Sequence, residues 1–480
     1  MNISMVFYLL GKVLLYEGIL LGLPLAVSLG YREFASTQAF LLTILLCIGG
    51  GLLLSLKKPK KNVFYLKEGL VITSLSWIVI SIMGSLPFLV TGAITNPIDA
   101  LFETVSGFTT TGASILSNVE VLPKSILFWR SFTNWIGGMG VLVFLLVLTP
   151  LKGGSHTNLM KAESPGPQVE KLVPKTQSTA AILYGIYIAL TLLQIVFLWL
   201  GKMPLFDAVN AAMSTAGTGG FGIKNTSMAD YSPYIQMVVS VFMILFGVNF
   251  TFYFLLLCRK FKRALIMEEV RWYFVVILCA CTIITWNIMP LYRGIGEAFR
   301  HALFQVGSVI TTTGFSTDDF NLWPQVSKTI LVLLMFVGAC AGSTGGGIKI
   351  SRFVTLFKTV RKETSNLLHP SRVGKLSNDG KSVPHEVVRA INVFMVAYIL
   401  IFSASVLLIS FDNLDLVTNF TAVTATLNNI GPGLEQVGPL GNYSVFSAGS
   451  KLVLIFDMLA GRLELFPILL LFVRETWRKF

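Results

Sequence analysis

Thr110-Thr111-Gly112-Ala113 stands between two long apolar segments and closes an amphiphilic run of about ten residues. The same object recurs three times. Its later copies read Gly217-Thr218-Gly219-Gly220, Thr312-Thr313-Gly314-Phe315 and Asn429-Ile430-Gly431-Pro432, centred on Gly219, Gly314 and Gly431. Irregular backbone at membrane depth is tolerated only where it is buried in protein or borders a water-filled cavity. Any one of these turns would pass as an ordinary Gly- and Thr-bearing loop. Four of them, each after a short amphiphilic segment, point to one central path ringed by backbone carbonyls, the arrangement that replaces a cation's hydration shell.

The surroundings of the turns fix the class of the chain. Of 480 residues, 54% are hydrophobic and 13% charged, and the mean hydropathy is +0.73. Soluble domains carry about 25% charged residues, so this composition belongs to a membrane protein. Apolar segments occupy 5–29, 39–56, 70–90, 126–148, 180–200, 234–257, 274–289, 329–341, 388–409 and 453–472. A membrane-crossing helix takes about 20 residues, so most qualify, while 329–341 is short and runs into glycines. The first is too long for a signal-peptide core, lacks a small-residue cleavage site and precedes a second span, so it is read as a retained helix. Lys12 and Glu17 lie inside it without an evident role.

The net charge of +13 has a topological reading. Basic residues crowd alternate loops: Lys57 to Lys67, Lys152 to Lys175, Arg259 to Arg271, Arg352 to Arg389 and the tail Arg474, Arg478 and Lys479. The positive-inside rule places these loops and both termini in the cytoplasm and the four turns toward the outer face of a cytoplasmic (inner) membrane. The long polar connections 152–177 and 364–384 read equally as docking surfaces or as flexible linkers. The five cysteines and four histidines show neither CxxC nor metal-ligand spacing.

After two N-terminal helices (1–60), the chain divides into four units of span, re-entrant helix, turn and span, at 61–151, 152–258, 259–362 and 363–480. The re-entrant helices are expected over 98–109, 205–216, 295–311 and 414–428. Acidic residues sit near their starts: Asp99 and Glu103, Asp207, Glu297, and Asp415. Carboxylates favour a helix N-terminus, which leaves each carbonyl-rich C-terminus aimed at its turn.

Two nucleotide-like strings fail on context. Gly217-Thr218-Gly219-Gly220-Phe221-Gly222 matches GxGxxG but follows a half-helix instead of a strand. Gly342-Ser343-Thr344-Gly345-Gly346-Gly347-Ile348-Lys349 resembles a P-loop, but Ile348 separates the glycine from the lysine that must follow it directly. Such a run breaks a membrane helix and leaves a mobile loop, so 338–349 is read as a gate beneath the turns, with a plain hinge as the alternative. Arg462, deep in the last span, is read as a charge on the ion path, against or alongside an ion pair with Glu464. Asp318 and Asp319 could concentrate cations at the mouth.

Together the four turns, the glycine run in the second helix of the third unit and Arg462 resemble the Trk/Ktr/HKT superfamily of potassium transporters, and within it the bacterial Trk-type membrane subunit, over essentially the whole chain. The resemblance implies an all-α integral membrane protein with four helix, pore-helix, helix repeats around a pseudo-fourfold pore, and a homodimer with one pore per subunit. It implies potassium uptake, K+ being the transported ion, with no cofactor in this chain. The filter would comprise Thr110, Thr111, Gly112, Gly217, Thr218, Gly219, Thr312, Thr313, Gly314, Asn429, Ile430 and Gly431, with Gly219, Gly314 and Gly431 supplying backbone freedom. The gate would comprise Gly342, Ser343, Thr344, Gly345, Gly346, Gly347, Lys349 and Arg462. A separate cytoplasmic RCK-type (TrkA/KtrA-like) subunit binding NAD(H) or ATP/ADP would control it. In the superfamily, glycine in the first filter goes with potassium selectivity and serine with sodium permeation, and this chain has Gly112. The alternative is a sodium- or proton-coupled symporter, although such sites usually pair broken helices with ionisable residues and these four turns are neutral. An intramembrane enzyme is not expected, because no convergent set of His, Asp, Glu or Ser side chains is evident.

Overall fold

The computed structural model describes residues 2–57, 65–140, 176–369 and 374–478. Most of loop 152–177 and the last eight residues of segment 126–148 fall outside them. The described chain is mostly helical, and six helices are long and apolar enough to cross a membrane, or seven if one sharply bent pair counts as a span.

The N-terminal hairpin joins Ile3–Leu20, continued by Gly22–Gly30, to Phe34–Ser55. Gly11 and Gly51 let the two backbones meet, since a Cβ on either would lie 2.8 Å from the other's carbonyl oxygen. Small residues at such crossings substitute close packing for a hydrophobic drive that lipid does not supply. Lys12 stacks over Tyr8, 5.7 Å from the ring centroid.

Each unit then has an outer helix and a short pore helix. The outer helices are Leu66–Val90, Thr176–Leu200, Glu268–Ile288 and His385–Ile409. The pore helices are Pro97–Phe108, Leu205–Gly217, Ile295–Ile310 and Leu416–Leu427. Local chemistry explains their bounds. Pro97 opens the first behind Asn96, whose side chain accepts from the Ile98 N–H, and Asp415 caps the fourth by accepting from Thr418 N at 2.8 Å. Partial burial pushes the Asp415 carboxyl up, but the hydroxyl and N–H of Thr418 outweigh it and hold the group below the usual carboxylate range. The fourth pore helix buries several threonines without orphaning them: Thr421, Thr424 and Thr426 each donate to the carbonyl four residues back.

The inner helices are where the structure departs from the sequence reading. The first is Lys124–Met139. The second, expected as one span over 234–257, bends by 90° between Pro233–Phe246 and Phe250–Leu257, because Asn249 starts a new helix by accepting from Thr251 N. The third stops at Phe336, and Ile350–Leu368 resumes beyond a loop. That loop is pinched by two short parallel strands, Val337–Gly338 on Ile348–Lys349, so an otherwise all-α chain carries small β pairings. The fourth, expected to run through 472, ends at Arg462, and Glu464 and Leu465 then take left-handed backbone angles (φ 55° and 67°).

Packing closes the units into a ring. The second, third and fourth pore helices each contact the inner helix of the preceding unit, and the first contacts Ala448–Arg462 of the fourth. Lys451 reinforces that last junction with a 2.6 Å ion pair to Asp99.

Candidate functional site

The four turns descend from the pore-helix C-termini in one shared geometry. Thr110, Thr218, Thr312 and Asn429 have left-handed φ between 54° and 58°, and two residues later Gly112, Gly220, Gly314 and Gly431 are left-handed again. The hydrogen bonds keep the same register: Thr111 N reaches Ser106 O, Gly219 N reaches Ser214 O, Thr313 N reaches Ser308 O, and Ile430 N reaches Ala425 O. The second turn therefore sits one residue later than the sequence alignment had it. Its counterpart of Gly112 is Gly220, while Gly219 matches Thr111 and Gly217 is the last residue of the pore helix. Paired glycines on both sides of Thr218 hid this register in the sequence.

These glycines are also where the turns meet. A Cβ on Gly112 would collide with Gly219 O, one on Gly220 with Thr313 O, and one on Gly314 with Ile430 O, all well inside the 3.0 Å that real Cβ atoms keep. A Cβ on Gly431 would lie 2.7 Å from Thr111 O and close the circle. All four glycines border one outer cavity of about 170 Å³, together with Arg130, Lys224 and Tyr443. Asp318 and Asp319 do not border it: Asp318 bonds the Tyr292 hydroxyl, and Asp319 accepts from Asn321 N at 3.0 Å.

Several supports of the turns escaped the sequence reading. Glu103 is no dipole-facing carboxylate: it lies buried in mid-helix, 2.8 Å from Arg130. It also accepts from Ser114 Oγ and Ile115 N at 3.0 Å, while Arg130 donates to Gly222 O at 3.1 Å and covers the Phe221 ring at 4.2 Å. One ion pair thus braces the first two turns. Arg130 is a charge within an apolar segment, and that signal could have exposed it. The Tyr443 hydroxyl donates to Gly431 O at 2.6 Å, and Asn429 Nδ2 donates to Thr111 Oγ1 and to Met458 O, both at 2.9 Å. Thr109–Thr111 and Thr311–Thr313 hydroxyl pairs, at 2.8 and 2.7 Å, tie those side chains to one another.

The glycine-rich loop lies directly beneath, tied down instead of hanging free. Cys340 N donates to Gly247 O and Phe250 N to Gly342 O, so the loop docks in the break of the second inner helix. Ala341 N donates to Glu269 at 2.6 Å. Higher up, Thr344 Oγ1 donates to Phe246 O at 3.3 Å and Gly346 N donates to Thr312 Oγ1 at 2.6 Å. Gly346 also packs so closely on the fourth turn that a Cβ would lie 2.7 Å from Asn428 O. Lys349, 2% exposed, donates to Gly345 O and, at 3.0 Å, to Gly346 O. Arg462 clamps the assembly by donating to Thr344 O (2.9 Å), Thr110 Oγ1 (3.2 Å), Gly138 O (2.9 Å) and Gly137 O. Glu464 is not its partner; that carboxylate pairs with Arg352 at 2.5 Å. Residues 344–346 thereby touch groups of the second, third and fourth units just under the turns, and Arg462 links them to Thr110, Gly137 and Gly138 of the first.

This geometry agrees with what the chain is similar to. Residues 34–479 match the family model described as TrkH, cation transport protein. The chain belongs to the TrkH family. Among curated TrkH-family proteins it is 36% identical over 477 residues to the Trk system potassium uptake protein TrkH of Salmonella typhimurium, covering 97% of both chains. It is 34% identical over 464 residues to TrkG of Escherichia coli, covering 95% of this chain and 94% of that one. The crystal structure of the potassium transporter TrkH from Vibrio parahaemolyticus superposes with a TM-score of 0.89 at 32% identity, covering both chains in full. The TrkH family and these relatives are named for transport, not for catalysis.

Proposed function

We propose that this chain takes up potassium across the cytoplasmic membrane, as the names of its relatives say of them. The observation that carries the reading is the closed circle in which each filter glycine abuts the backbone carbonyl of the next repeat. The main-chain carbonyls of Thr110, Thr111, Gly112, Thr218, Gly219, Thr312, Thr313, Asn429 and Ile430 would hold the dehydrated ion. Gly217, at the end of its pore helix, and Gly314 and Gly431, in the turns, would set the backbone around them. Pore-helix C-termini aimed at the turns add negative potential there.

The segment 338–349 is the gate, and its bonds to Thr312, Phe246 and Arg462, with Lys349 tying it internally, support a closed pore. Opening requires that the Thr344–Gly346 stretch leave the axis, carried by Ile350–Leu368 on its cytoplasmic side. A cytoplasmic RCK-type subunit binding NAD(H) or ATP/ADP would draw on that helix. The subunit would pair as a homodimer, with both termini cytoplasmic and repeats dividing near residues 61, 152, 259 and 363. Inward flow is driven by the membrane potential, about 2.3 kcal/mol per charge per 100 mV.

The test is tracer rubidium uptake into vesicles carrying the purified chain and an imposed inside-negative potential. Competition by potassium but not by sodium is expected. Equal competition by sodium, or uptake that needs a sodium or proton gradient, would overturn the reading in favour of a coupled symporter.

A further inference from the structure

Just beyond the gate, the helix that leaves the loop meets the turn that follows Arg462. Arg352 is 5% exposed, donates through Nη2 to Glu464 and lies 4.0 Å over the Phe394 ring. Its Nη1 and the second oxygen of Glu464 are both buried, and neither has a hydrogen-bond partner among the described residues. Arg352 and Glu464 border one cavity of about 310 Å³, walled further by Glu386, Ala390, Phe394 and Phe466. Its rim is open, since Glu386 and Ala390 are exposed and Phe466 is 40% exposed. The wall residues Glu386 to Phe394 form the first turns of the span His385–Asp412, so the cavity sits at headgroup depth.

A buried donor or acceptor left unpaired costs about 1–3 kcal/mol, and more when charged. An occupant that reaches this pair would accept a hydrogen bond at Nη1 and donate one at the Glu464 oxygen. Two carboxylates against one guanidinium leave the walls with a net negative charge, which disfavours a purely anionic occupant. Guanidinium suits phosphate geometrically, and a primary ammonium offers the N–H groups that a quaternary one lacks. The phenylalanine and alanine walls call for hydrocarbon. The geometry points to a site for the phosphoethanolamine headgroup of an aminophospholipid from the leaflet on the gate side. A phosphate oxygen accepts from Arg352 Nη1, the ammonium donates to Glu464 and Glu386, and acyl chain follows Phe394 and Phe466. The competing occupant is water, which satisfies orphaned polar groups in roomy polar cavities. This inference does not depend on which cation the pore carries.

The test is native mass spectrometry of the full chain in detergent, titrated with phosphatidylethanolamine, phosphatidylcholine, phosphatidylglycerol or soluble glycerophosphoethanolamine. Ala390→Trp fills the cavity without touching a charged group, and Glu464→Gln removes one carboxylate. We expect one phosphatidylethanolamine held at least tenfold more tightly than the other two lipids and than the soluble headgroup. Ala390→Trp should lose it at unchanged melting temperature, and Glu464→Gln should weaken it several-fold. Equal retention of the three lipids, retention in Ala390→Trp, or equal binding of the free headgroup would overturn the proposal.

Discussion

The register of the second filter can be tested by comparing two adjacent glycines. Gly220 has φ 66°, and a Cβ there would run into Thr313 O, a backbone atom fixed by its own pore helix. Gly219 lacks a positive φ, and its Cβ would meet the side chain of Asn134 and no backbone carbonyl of a neighbouring turn. Holding a non-glycine residue in a disfavoured backbone region costs about 1–3 kcal/mol. The collision adds to this by displacing a carbonyl of the neighbouring repeat. If that strain appears as lost discrimination at the filter, Gly220→Ala should reduce potassium-over-sodium preference about 5- to 150-fold, since 1.4 kcal/mol is a factor of ten. Gly112→Ala, with φ 76° and Gly219 O in its way, should match it. Gly219→Ala should change the preference by less than about fivefold, under 1 kcal/mol. The assay is rubidium uptake into vesicles, inhibited by graded potassium and sodium, with the ratio of the two inhibition constants as readout. A larger loss in Gly219→Ala than in Gly220→Ala would refute both the register and the ring contacts built on it.

Arg462→Gln removes a charged donor from four acceptors, each such bond being worth about 1.5–3 kcal/mol, so basal uptake without any partner should rise at least tenfold with ion preference intact. Thr312→Val leaves the Gly346 N–H without its acceptor and should loosen the gate by about 1–3 kcal/mol, read as a smaller rise in the same assay. Arg130→Gln strands the buried Glu103 carboxylate and should destabilise the protein by about 3–5 kcal/mol, seen as a lower melting temperature in detergent. The double variant Glu103→Gln/Arg130→Gln should recover part of that loss, because it removes the unpaired charge.

Much of this was legible in the sequence for a physical reason: helices that face lipid must be apolar, and polar turns at that depth have few explanations. Composition and the four turns locate the outer helices and pore helices closely, and the acidic residue noted near the start of the fourth, Asp415, proves to be its cap. What stayed hidden depends on groups distant in the chain. The bend at Gly247–Asn249 is written in an apolar stretch that reads as one span, and it becomes intelligible only as the dock for Cys340 and Gly342. Glu464 looked like a local partner for Arg462, yet the turn after Arg462 sends it to Arg352. The slip at Gly219 arose because glycine itself carries no side-chain pattern to count by. Glu103 and Arg130, Tyr443, and the Asn429 side chain are supports whose roles exist only once the repeats are wrapped around one axis.

One chain here supplies four quadrants, yet a single stretch, Thr344 to Gly346, is bonded beneath them to the second, third and fourth, and through Arg462 to the first. A channel of four identical subunits has four gates to open, and its current can pass through partial levels as they move one by one. If that stretch is the gate proposed above, each permeation path has one plug and nothing to open by quarters. Current records of this protein should step only in whole multiples of one pore's amplitude, with each pore's dwell times governed by one event.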